Sequence, residues 1–154
     1  MTVTRRLVEF ERHDTAEVEA LLASLPDGAW VNVEPIVDDD DLQDLRQSTP
    51  HPLLRVFSAK GRPIPFATVV AQQDALAVGL EHSRGARVAP ELRELGLSAP
   101  PSWRQQQDHA KRGIVYAVPR EESAHIILEW ILSAATALSA VPIRGRWSAM
   151  VAVP

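Results

Sequence analysis

Two polar stretches hold the side chains best able to bind or transfer charge. The first runs Glu81-His82-Ser83-Arg84-Gly85, with Ala86 and Arg87 after it; the second runs from Trp103 to Gly113 and contains Arg104, Asp108, His109, Lys111 and Arg112. Arginine forks and lysine suit carboxylate or phosphate groups, and imidazoles can donate hydrogen bonds or transfer protons near neutral pH. If the two stretches meet, His82, Arg84, Arg87, His109, Lys111 and Arg112 line one basic cleft. The turn from Arg84 to Arg87 opens a helix near Val88, whose free N–H groups would add anion donors. Trp103 then serves as a stacking platform or, as its proline-flanked position favours, as a hydrophobic lid over the core.

Local spacing also supplies plainer roles. Alternation puts His82 on the apolar face of its strand with Leu76, Val78 and Leu80, which suits a hydrogen-bonded core histidine. Asp108 and His109 are sequence neighbours and point to opposite faces of an extended chain, which disfavours a charge-relay pair. His82 and His109 with Asp108 or Glu81 lack short metal-ligand spacing, so no metal is expected. The acid run Asp38 to Asp41 does not make a calcium loop. Counted from Asp38, the sixth position is Gln43 and the twelfth Thr49, where an EF-hand needs glycine and glutamate. His125 and Glu129 read as a surface pair at i, i+4.

The familiar catalytic signatures are absent. There is no G-x-G-x-x-G, no G-x-x-x-x-G-K-[ST], no G-x-S-x-G and no H-E-x-x-H, which counts against Rossmann oxidoreductases, P-loop hydrolases, α/β-hydrolases and zincins. No cofactor is expected. The 154 residues contain no cysteine, which excludes disulfides, thiolate metal centres and a thiol nucleophile. Without a leader-like or membrane-length apolar run, a soluble cytoplasmic protein is expected. The net charge of −4 hides an asymmetry: residues 1–50 carry four arginines against twelve acids, and residues 51–154 carry twelve cations against eight acids. The overall negative charge, and one aromatic in the basic window, disfavour nucleic acid as a partner.

The elements that must position these residues follow from periodicity. Strands are expected at Thr4–Phe10, Ala29–Val37, Leu53–Ala59, Phe66–Gln72, Ala75–His82, Ile114–Val118 and Arg146–Val153, with a Lys60–Gly61 turn between the third and fourth. Asp14, with Glu17 in capping-box position, starts a helix whose stripe is Val18, Leu21, Leu22 and Leu25. Short helices follow Asp38 and surround Pro90, the second ended by Gly96. Ser123–Leu138 is the most apolar helix and the expected centre of the core. Gln105–Arg112 is polar without a period and reads as a loop. One face of the Ala75–His82 strand carries only Ala75, Ala77 and Gly79, which suggests close approach by a helix or another backbone.

Hairpins and short links indicate a single α+β domain over residues 1–154, with a mainly antiparallel sheet of six or seven strands and three or four helices on one face. The expected function is a binding or interaction domain that meets a protein partner or a small anionic ligand through loops 82–87 and 103–112. The alternative is an enzyme using His82 or His109 as general acid–base, with Arg84 and Arg112 holding an anionic substrate. A homodimer that buries a strand edge or an apolar patch is a third expectation.

Overall fold

Apolar and polar residues alternate along most of the strands, so each strand offers one face for burial and one for water. The computed structural model describes residues 2–48 and 61–154. Within them, seven strands form one antiparallel sheet: β1 (Thr4–Glu11), β2 (Trp30–Pro35), β3 (Phe66–Ala71), β4 (Ala75–Glu81), β5 (Arg104–His109), β6 (Gly113–Pro119) and β7 (Arg146–Val153). Their order across the sheet is β1-β7-β2-β3-β4-β6-β5. The helices are α1 (Ala16–Ala23), α2 (Asp39–Ser48), α3 (Val88–Glu94) and α4 (Ala124–Leu138). The architecture is mixed α+β, as the periodicity predicts. The expected strand at Leu53–Ala59 and Lys60 of its turn lie outside the described residues. Among the described residues, no helix is long and apolar enough to cross a membrane.

The core lies on one side of the sheet. Val8, Val31, Val69, Val78, Ile114 and Trp147 form its inner face and join Val18 and Leu22 of α1, Val88 and Leu92 of α3, and the apolar stripe of α4 in one cluster. Ile127, Leu128, Ile131, Leu132 and Leu138 are almost fully buried, which makes α4 the centre of that cluster. The same side gains two ion pairs that tie helix to sheet. Arg6 of β1 pairs with Glu17 of α1, and Arg12 makes a forked pair with Glu129 of α4 at 2.7 and 2.8 Å. The guanidinium holds the Glu129 carboxyl below its ordinary range, chiefly through their hydrogen bond. His125 reaches Glu19 of α1 instead of Glu129, and this hydrogen bond raises its pKa. The expected pair within one helix is therefore two pairs between elements.

Two other local expectations change. α1 begins at Ala16, after Thr15 rather than an Asp14 cap; the reciprocal capping-box bond is not made, since the Asp14 N–H donates to the Glu11 carbonyl at 2.9 Å and Glu17 pairs with Arg6. The Gln105–Arg112 stretch is mostly strand. β5 lies at the sheet edge, with a bulge between Gln105 and Gln107, and its side chains are largely exposed. An edge strand wet on both faces has no hydrophobic period to read. The β5–β6 turn closes at Gly113, whose φ is +79° and whose absent Cβ would strike the Leu80 carbonyl. Only glycine fits there without strain.

Candidate functional site

The β4 end and the β5–β6 hairpin come together because β6 lies between β4 and β5. His82 follows the last β4 residue and, as its alternation predicts, is buried, with no exposed surface. Its Nδ1 accepts the Arg84 N–H at 3.1 Å, so Nε2 carries the proton in the neutral ring. Among the described residues that buried Nε2 has no partner, and neither does the buried indole N–H of Trp147. Burial is the largest influence on the imidazole and lowers its pKa; the nearby Asp108 and Glu91 carboxylates pull it up, and Arg84 pulls it down.

His109 plays a matching local part on the edge. Its Nδ1 accepts the N–H groups of Lys111 and Arg112 at 3.1 and 3.2 Å, so it closes the β5–β6 turn. Both histidines thus use Nδ1 as the acceptor of a tight turn. Arg84 is bound to Glu91 of α3 through Nε and Nη2, and that bond keeps its guanidinium firmly charged.

The anion place at the start of α3 is already filled by the chain itself. Asp108 projects inward from β5, and its two oxygens accept the Val88 and Ala89 N–H groups, each at 2.9 Å. The carboxylate caps a helix whose own preceding residue, Arg87, stands in left-handed backbone at φ 63° and offers no side-chain cap. Sequence spacing hid this bond, because its partners are about 20 residues apart. A signal existed: no Ser, Thr, Asp or Asn stands directly before Val88, so the cap had to come from elsewhere.

Trp103 is the lid. It is nearly buried, meets Tyr116 and Trp130 edge to face at 5.8 and 5.5 Å, and donates Nε1–H to Glu122 at 2.9 Å. Of the expected cluster, Arg87, Lys111 and Arg112 remain exposed, and their side chains make no ion pair among the described residues. A hollow of about 370 Å³ beside Arg84 is lined by Ser83, Arg84, Glu91, Leu138 and Ala140, and includes neither histidine nor Arg87, Lys111 or Arg112. Among the described residues, no three histidine or acid side chains converge as metal ligands.

Sequence and fold comparisons add nothing to this geometry. The chain matches no family model, and no curated protein or solved structure is significantly similar to it.

A second surface was only partly visible in the sequence. Three of the four helices, α1, α3 and α4, feed the inner cluster and leave the outer side of the sheet to other contacts. Arg144, just before β7, pairs with Asp38 and with Asp41 at the start of α2, and Leu42 and Leu45 of α2 line a hollow with Arg62, Pro63 and Ile64. Register sets the side chains of the outer side in three rows. The central row runs from Leu7 through Met150, Asn32, Thr68 and Gly79 to Val115. On one side Arg5, Trp30, Val70, Ala77, Ala117 and Arg104 make a second row. On the other side Glu9, Ser148, Glu34, Phe66 and Glu81 make a third. Most of these residues are half-buried, and Leu7 is 64% exposed. Arg5, Arg104, Glu9 and Glu34 form no ion pair among the described residues. Glu81 lies 3.6 Å from Arg62, whose guanidinium covers the Phe66 ring at 4.5 Å.

Proposed function

We propose that this protein is a binding module that docks a protein partner on the outer face of its sheet. The outer face itself carries the reading. It is a broad surface whose central row runs from Leu7 and Met150 through the short Asn32, Thr68 and Gly79 to Val115. Arg5 and Arg104 stand on one margin and Glu9 and Glu34 on the other, none of the four ion-paired among the described residues. Exposed apolar patches of several hundred Å² rimmed by polar residues mark interaction sites on soluble domains. A fitting partner presents a flat apolar strip with charges of the opposite order along its margins.

The basic loops support a small-anion site less well. Asp108 takes the α3 N–H groups and Glu91 takes Arg84, so the strongest anion donors are engaged within the chain. The enzyme alternative asks a histidine to reach substrate, and His82 is buried while His109 closes a turn.

Site-specific photo-crosslinking tests the docking surface. A benzophenone side chain replacing Val70, a partly buried residue of the central strand β3 on the outer face, should give a discrete protein adduct in cells that express the chain. A second substitution, Glu34→Arg, should lower its yield several-fold. A benzophenone at Lys111 should give none. Adducts from position 111 with none from position 70 would move the binding surface to the basic loops and overturn the proposal.

A further inference from the structure

On the basis of the docking role proposed for the outer face, we infer that its partner is a second copy of this chain, stacked face to face about a two-fold axis along the central row. Rotation about an in-plane axis lying across the strands reverses strand direction and keeps strand order. Each strand then lies over its own copy, and the arginine margin of one sheet lies over the glutamate margin of the other. Glu9 comes to face Arg5 of the second copy, and Arg5 comes to face its Glu9. An axis parallel to the strands would instead set glutamates against glutamates, which electrostatics disfavours. The β1 end of the face, with Arg5 on one margin and Glu9 on the other, therefore complements itself in one orientation.

The centre of the face fits the same arrangement. Residues on a two-fold axis meet themselves, so they must be small, apolar or self-complementary. Gly79 has no side chain, and Thr68 and Asn32 are short. Thr68 donates its hydroxyl to Asn32 Oδ1 at 3.1 Å, which leaves the Asn32 amide N–H groups and a second oxygen lone pair for another partner. A carboxamide is donor and acceptor at once and can pair with its own copy. The small Ala75, Ala77 and Gly79 side of β4 lets a second sheet approach at the usual separation of about 10 Å. Size is adequate as well. Six inter-strand spacings and about six residues of shared length give a face of about 29 by 20 Å. Two such faces bury about 1,200 Å² together, the lower limit of the stable class of interfaces.

Sedimentation velocity of the full chain, at loading concentrations from about 1 to 500 μM, reads the result. The wild type should sediment at twice the chain mass at the upper end. Glu9→Arg sets arginine against arginine and should weaken the dimer about tenfold. Arg5→Glu should do the same, and the double exchange Glu9→Arg/Arg5→Glu should restore wild-type association. Both positions are exposed on β1, so neither change disturbs the core. Leu7→Glu and Asn32→Asp should each yield monomer. A wild type that stays monomeric throughout overturns self-association, while a benzophenone adduct at position 70 to a different protein would leave the docking surface standing. A dimer indifferent to all four positions would place the contact elsewhere and also overturn it.

Discussion

Replacing Asp108 gives the sharpest test of how the β5 edge and α3 hold each other. Its carboxylate accepts two backbone N–H groups at 2.9 Å, and Val88, one of the donors, is 1% exposed. Loss of a helix cap costs about 1 kcal/mol. A buried N–H left without an acceptor adds about 1–2 kcal/mol, because no water replaces the bond. Asp108→Ala should therefore destabilise the fold by about 2–3 kcal/mol. Asp108→Asn keeps one acceptor oxygen and loses the charge, so about 1 kcal/mol is expected. Urea unfolding followed by tryptophan fluorescence measures both; with a slope near ~2 kcal/mol/M, the alanine midpoint should fall by about 1–1.5 M. A second readout checks the electrostatics. The Asp108 charge raises the pKa of buried His82, so the asparagine variant should lower that pKa further, as seen by imidazole chemical shifts. An alanine variant that unfolds with the wild type would show that α3 does not depend on this cap. An unchanged His82 titration would refute the coupling.

Two further outcomes follow from burial. Ile131→Ala, at a fully buried position of α4, should cost about 2–5 kcal/mol, and a wild-type urea midpoint would mean that the core is not centred on this helix. The buried His82 has a folded pKa below that of the unfolded chain, so the unfolded state takes up its proton first as pH falls. Its contribution is complete above about pH 6.5 and is lost between that pH and the lower folded value. His125 has a raised pKa through Glu19 and acts in the opposite sense, gaining stability as pH falls. In a His125→Gln background, stability should therefore drop from pH 7 toward pH 5, and a flat profile would show that His82 protonates freely in the folded protein.

Periodicity made the inner half of this fold legible and left the outer half obscure. The stripe of α4 and the alternation of β2, β3, β4 and β7 can be read because one side of each faces a dry core. His82 was placed correctly by the same parity. β5 could not be read, because both its faces are wet and a bulge shifts its register. The bonds that redefine the basic loops join residues distant in sequence: Asp108 to Val88, Arg84 to Glu91, Trp103 to Glu122. Composition shows the charges but not which of them neutralise one another. The outer face was hinted at only by Ala75, Ala77 and Gly79, since its three rows exist only once strand order and register are known.

Strand order also bears on why association should use the face rather than the edges. Among the described residues the sheet ends at β1 and β5, and a free edge invites chain-to-chain pairing that does not close. Here β1 carries Arg5, Arg6, Glu9 and Glu11 among its exposed side chains, and β5 carries Arg104, three glutamines and a bulge. Charges and bulges are the usual means of blunting an edge. The outer face carries no charge along its central row, where Leu7, Met150 and Val115 remain at least partly exposed beside Asn32, Thr68 and Gly79. Polar edges beside an apolar face leave one productive mode of contact. A two-fold stack on that face is closed after two copies, whereas edge pairing would extend without limit. Converting Arg6 and Glu11 to valine and threonine should thus promote larger aggregates while leaving the face-to-face contact of Asn32 on Asn32 in place, because neither side chain belongs to the rows of the outer face.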